Sequence, residues 1–203
     1  MVSILTGDIV NSRKAAPETW LSVLKEALTV IGKKGEWEIF RGDSFQLQSS
    51  PEEALLNAIY LKASINAIKA LNVRIAIGIG KPGFSAKKIT ESNGEAFVFS
   101  GEKLDELKKD RTTLAIQSPW KEFDYEMNVS IRLALIAMDN WSQISAEMVK
   151  ISIENKGISQ KELAELAKKS QSTVSEALKR ARFDDIMELN ALYKSKVNRL
   201  ITH

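Results

Sequence analysis

The hydrophobic period of this chain changes once, at about Ser130 after a boundary region over 119–128, and that change limits the fold more than any other feature. Before it, short β-branched runs alternate with helical faces. After it, every apolar pattern has helical spacing. Residues 2–10 are apolar and β-branched apart from Ser3 and the Thr6-Gly7-Asp8 step. Residues 17–31 then place Trp20, Leu21, Leu24, Leu28 and Ile31 on one helical face, with Pro17 suited to the first turn and Gly32 to the end. Two short strands, 37–40 and 44–47, flank Gly42-Asp43, a hairpin signal. Pro51 opens a second helix with Ala54, Leu55, Ala58, Ile59, Leu61, Ile65 and Ile68 on its buried side. Residues 73–79 read as a central strand, 101–108 as a short helix and 113–116 as a closing strand. The order β-α-β-β-α-β followed by α-β predicts an α+β, ferredoxin-like unit, its antiparallel sheet carrying helices on one face.

The second half predicts an all-α unit. Residues 131–138 and 145–153 are apolar at helical spacing, as is 184–201 through Ile186, Leu189, Leu192, Val197 and Leu200. Between them lie Lys156-Gly157, a capping box from Ser159 to Glu162, a polar turn at 168–170 and a helix over 171–181. No hairpin signal follows Ala181. The expected organisation is a domain over 1–118, a linker over 119–128 and a helical domain over 129–203.

Composition narrows the chemistry. The chain of 203 residues is 44% hydrophobic and 27% charged, as folded domains are. It has no cysteine, which removes disulfides, thiolate nucleophiles and thiolate metal sites. Its one histidine is the last residue, His203, which excludes histidine triads and multi-histidine metal centres. Asp8 and Arg13 interrupt the N-terminal apolar stretch, so no signal peptide is expected. The longest apolar run, near Leu133 to Met138, is far short of the roughly 20 residues of a membrane span. The expectation is a cytoplasmic protein with no membrane partner. Charge is uneven: residues 156–203 carry 10 Lys+Arg and 6 Asp+Glu, whereas residues 1–155 carry 19 and 20. The positive excess therefore lies in the C-terminal quarter.

That quarter holds the strongest functional pattern. Ala164 is small where two helices must cross closely, and Val174, ten residues on, points into the same small core. Gln171, Ser172, Thr173 and Ser175 occupy the early turns of the following helix. In a helix-turn-helix those turns enter the major groove, where amides and hydroxyls can bond base edges. Lys179, Arg180 and Arg182 stand at the far end, within reach of phosphates. The stretch resembles the helix-turn-helix of bacterial regulators, with Lys168 where such turns prefer glycine. The bland alternative is a helical hairpin with a solvated basic face.

Three N-terminal segments carry a second resemblance: Leu5-Thr6-Gly7-Asp8-Ile9-Val10-Asn11-Ser12-Arg13, Phe40-Arg41-Gly42-Asp43-Ser44-Phe45-Gln46, and Arg74-Ile75-Ala76-Ile77-Gly78-Ile79-Gly80. In that order, over about residues 1–118, they resemble the SatD family, whose N-terminal region is similar to the palm of class III nucleotidyl cyclases. The resemblance implies a cyclase-palm-like sheet with Asp8 and Asp43 as magnesium ligands beside a nucleotide triphosphate. The rest of the cyclase apparatus departs from the pattern. Ile39 stands where the base-recognition lysine would align, and Val98 and Glu102 stand where an asparagine and an arginine would. Ser44 replaces the glutamate usual after Gly-Asp in the SatD pattern. A glutamate cannot stabilise developing negative charge, so the implied domain lacks cyclase turnover. Structurally, Gly-Asp can serve the turn alone, and Asp8, Asn11 and Ser12 can cap the next helix. Lys87-Lys88 and Lys108-Lys109 read as solvated surface, and Trp20, Trp37, Trp120 and Trp141 as core or junction residues.

The sequence thus points to a DNA-binding transcriptional regulator acting on double-stranded DNA as a homodimer, with a degenerate cyclase-like sensing or dimerisation domain. The competing reading is a magnesium-dependent nucleotide enzyme, a cyclase or transferase, built on Asp8 and Asp43. A third is a scaffold whose helices contact another protein.

Overall fold

In the computed structural model of the chain, residues 1–40, 42–86 and 88–202 are described; Arg41 of the hairpin motif, Lys87 and His203 lie outside them. In chain order the elements are β1 (Val2–Val10), α1 (Pro17–Ile31), β2 (Trp37–Phe40), β3 (Ser44–Ser49), α2 (Ala54–Asn66), β4 (Asn72–Gly80), α3 (Glu95–Asp110) and β5 (Leu114–Gln117), then α4 (Lys121–Met138), α5 (Gln143–Glu154), α6 (Gln160–Ala167), α7 (Gln171–Ala181) and α8 (Phe183–Thr202). The fold is α+β. One five-stranded sheet runs β2-β3-β1-β4-β5, antiparallel except for the parallel β4-β5 pair.

Strand alternation sends neighbouring side chains to opposite faces of this sheet. Leu5 and Ile9 of β1, Phe45 and Leu47 of β3, and Val73, Ile75, Ile77 and Ile79 of β4 join α1 and α2 in the main core. The intervening positions face α3. Ile4 packs with Ile89 and Ala96, and Ala76 with Leu104 and Leu107. The expectation of helices on one face therefore holds for α1 and α2 only, and α3 covers the other. That second face was hidden because small and polar residues build it. Thr6 and Ser100 hydroxyls bond at 2.8 Å across the contact. At Gly78 a Cβ would come within 2.1 Å of the Ala96 carbonyl oxygen, so only glycine admits the helix this close.

Three further expectations meet a different structure. Helix α2 has no single buried side: it is buried all round, between the sheet and α5. Residues 119–128, read as a linker, are helical from Lys121, where α4 begins. The short helix expected over 101–108 begins six residues earlier, at Glu95.

The main core passes from the sheet through α2 into α4, α5 and α8, reaching Met138, Val149, Tyr193 and Val197. Polar anchors fix this junction. The Tyr193 hydroxyl donates to the Pro51 carbonyl at 2.5 Å, and the Trp141 indole donates to the Ala181 carbonyl at 2.9 Å. Trp20 and Trp141 are buried and Trp37 and Trp120 half-buried, as core and junction residues should be. No helix among the described residues is long and apolar enough to cross a membrane.

Candidate nucleic-acid interface

A second, smaller core lies apart from the first. Met148 of α5, Leu163 and Ala164 of α6, and Val174 and Ala177 of α7 form it, with Ile151, Ile158 and Leu178 at its edge. Ala164 and Val174 thus meet as their spacing predicts. Each helix has a local start signal. Ser159 caps α6 through a complete capping box: its hydroxyl accepts from the Glu162 amide, and the Glu162 carboxylate accepts from the Ser159 amide at 2.7 Å. The backbone and side-chain bonds from Ser159 hold the Glu162 carboxyl below the usual glutamate range.

Three residues, Lys168, Lys169 and Ser170, turn the chain from α6 into α7. Lys168 sits in the left-handed region at φ 52°, the conformation for which glycine is preferred. Ser170 caps α7 by accepting from the Thr173 amide. This residue was missed in the sequence reading, although a serine just before a polar helix start is a capping signal. Its hydroxyl also lies 2.9 Å from that of Ser172 and 2.8 Å from that of Thr173. Ser172 and Thr173 are therefore partly engaged by the cap, while Gln171 and Ser175 stand exposed, without such a tie among the described residues.

Helix α7 is held from beneath by Val174, Ala177 and Ala181, so Gln171, Ser172 and Ser175 line its outer face and Thr173 is half-buried. Lys179, Arg180 and Arg182 are exposed at its far end. Arg180 pairs with Glu176 at 2.8 Å and Arg182 with Asp185 at 2.8 Å, both on the surface. Among the described residues Lys179 has no such pair. Residues 183–202 continue as one helix.

No protein-family model matches this chain, and no curated protein sequence matches it.

The two N-terminal carboxylates are near one another in the backbone but taken up differently. Asp8 and Ser44 are partners across β1 and β3, and the Ile9 amide donates to the Asp43 carbonyl at 3.1 Å. On the α3 face, Arg74 Nη1 donates to both Asp8 carboxylate oxygens at 2.9 and 3.2 Å, and Lys108 Nζ stands at 3.5 Å. Lys108 and Lys88 are both exposed, as solvated surface residues are, and Lys108 also comes within ion-pair distance of Asp8. Asp43 instead accepts a 2.6 Å bond from the Ser12 hydroxyl. Neither Asp8 nor Ser12 caps α1, whose N-cap is Ala16. Among the described residues no three acidic or histidine side chains cluster to hold a metal ion. Chemically, Asp8 already has its charge balanced by two cations, the role a bound magnesium would fill.

Proposed function

We propose that the chain is a regulator of transcription that binds double-stranded DNA through α6 and α7 as a helix-turn-helix. One observation carries this reading: α7 is packed on one side by its own small core and presents Gln171, Ser172 and Ser175 outward at its start and cations at its end. Short polar side chains at the N-terminal turns suit base edges in the major groove. Lys179, Arg180 and Arg182 suit phosphates, which supply affinity without reading sequence. The Arg180–Glu176 and Arg182–Asp185 ion pairs are exposed and worth at most about 1 kcal/mol each, so phosphates can displace them. The N-terminal α/β unit then serves as a sensing module. A magnesium-dependent nucleotide enzyme would need Asp8 released from Arg74 and Lys108.

Fluorescence anisotropy of labelled random duplexes, followed by selection from a random pool, tests the proposal. Salt-sensitive binding and enrichment of a discrete site support it. Absence of binding at the lowest salt overturns it.

A further inference from the structure

Leu133 of α4 is 65% exposed, Ile136 70% and Leu192 of α8 47%. Leu133 and Leu192, with Ala134, Ala137 and Leu189, line one groove of about 570 Å³ between the two helices, and Ile136 lies outside it on α4. Along α4, Tyr125, Val129, Leu133 and Ile136 recur at intervals of four, four and three, an apolar seam opposite the buried one of Phe123, Met127, Ile131 and Leu135. Leu133 and Leu192 thus leave the groove apolar and open to solvent, and Tyr125 and Ile136 continue exposed apolar surface along α4.

The charges on α8 say what covers it. Glu188 stands four residues before Leu192 and Lys196 four after; Asp185 stands seven before and Arg199 seven after. Steps of four and seven return to one helical face, and all five residues reach solvent there. The face is acidic before Leu192 and basic after it. It is complementary to itself read backwards.

We infer that the α4–α8 face is the contact between two copies of this chain, related by a two-fold axis at Leu192 with the α8 helices antiparallel. Each Glu188 then meets the partner's Lys196 and each Asp185 the partner's Arg199, while the two Leu192 side chains meet at the axis and fill the grooves beside Leu133 and Leu189. A two-fold axis requires this kind of self-complementarity. A parallel arrangement would set Glu188 against the partner's Glu188. Within one protomer Lys196 already pairs with Glu126 at 2.6 Å and Arg182 with Asp185, both at the surface, where such pairs exchange readily.

Sedimentation equilibrium of the full chain tests this independently of DNA. The wild type sediments as a dimer that weakens with salt. Leu192→Asp is monomeric with an unchanged circular dichroism spectrum, because its side chain is at the surface. Glu188→Lys and Lys196→Glu each weaken the dimer roughly tenfold, from two repulsive pairs per axis. The double variant returns to within about threefold of the wild type. A wild type that stays monomeric at the highest attainable concentration overturns the inference. So does a dimer indifferent to the single reversals, or a double variant that is not restored.

Discussion

Lys62 Nζ lies 2.6 Å from a carboxylate oxygen of Asp139, so a side chain only 1% exposed ties α2 to the C-terminal end of α4. Asn72 and Thr113 complete the network. Lys62 donates to the Asn72 amide oxygen and the Thr113 hydroxyl, each at 2.9 Å, and both residues donate to Asp139 at 2.8 Å. The sheet, the buried helix and the start of the helical layer are thereby joined at one charged point.

Removing one partner of such a pair leaves the other charge uncompensated. Asp139→Asn should destabilise by about 2 kcal/mol, less than the roughly 3–5 kcal/mol for a pair with both members buried, because Asp139 reaches water. Lys62→Met should cost less, since Asp139 keeps its bonds from Asn72 and Thr113. Denaturant unfolding of both variants gives the comparison. A larger loss for Lys62→Met would contradict it.

The same pair sets an acid limit. Burial alone would raise the Asp139 carboxyl, but the Lys62 charge and the bonds from Lys62, Asn72 and Thr113 outweigh it and hold it below the ordinary range. A carboxyl depressed in the folded state stabilises it fully above the unfolded value near 3.9, and that contribution is lost as pH falls through the folded value. Wild type should lose stability below about pH 4 more steeply than Asp139→Asn. Equal slopes in thermal unfolding across that range would remove the argument.

At the turn between α6 and α7, Lys168 adopts a conformation that costs a side chain with a Cβ roughly 1–2 kcal/mol. Lys168→Gly relieves it, though the more flexible unfolded chain takes part of the gain back. The expected net gain is about 0.5–1 kcal/mol, measured by chemical denaturation. Unchanged or reduced stability would show that the turn is not under that strain.

Much of the sheet was legible because its signals are local. Pro17 and Gly32 bound α1, and Gly42-Asp43 marks the turn between β2 and β3. Helix α2 defeated an amphipathic reading because water touches none of its sides. The first turns of α3 were missed for a related reason: Ala96 and Ser100 pack on glycines, so no apolar stripe announces them. In the N-terminal pair, the Gly-Asp motif was visible but its chemistry was not. Asp8 is balanced by Arg74, 66 residues away and its direct partner only through the β1-β4 register. The α6–α7 unit was more legible, because its caps, its turn and all of its small core except the α5 residues Met148 and Ile151 lie within some 25 residues.

Arg74 and Lys108 make a prediction about magnesium. With the Asp8 charge already balanced, magnesium with ATP or GTP should leave the wild-type melting temperature unchanged. Arg74→Ala should be less stable, having freed a half-buried carboxylate. Differential scanning fluorimetry reads both. A rise in the wild type that Asp43→Ala abolishes would restore the nucleotide-enzyme reading.

The central claim is that the outer face of α7 reads DNA, and the salt dependence of affinity for wild type and two variants tests it most directly. On a selected duplex, log K should fall linearly with log salt concentration, and Arg180→Ala should reduce the slope by about 1 and weaken every sequence alike. Gln171→Ala should cost about 1–3 kcal/mol on the selected site, little on random duplex, and leave the slope unchanged. If both variants bind selected and random DNA as the wild type does, with the same slope, α7 is only a solvated helix and the account is wrong.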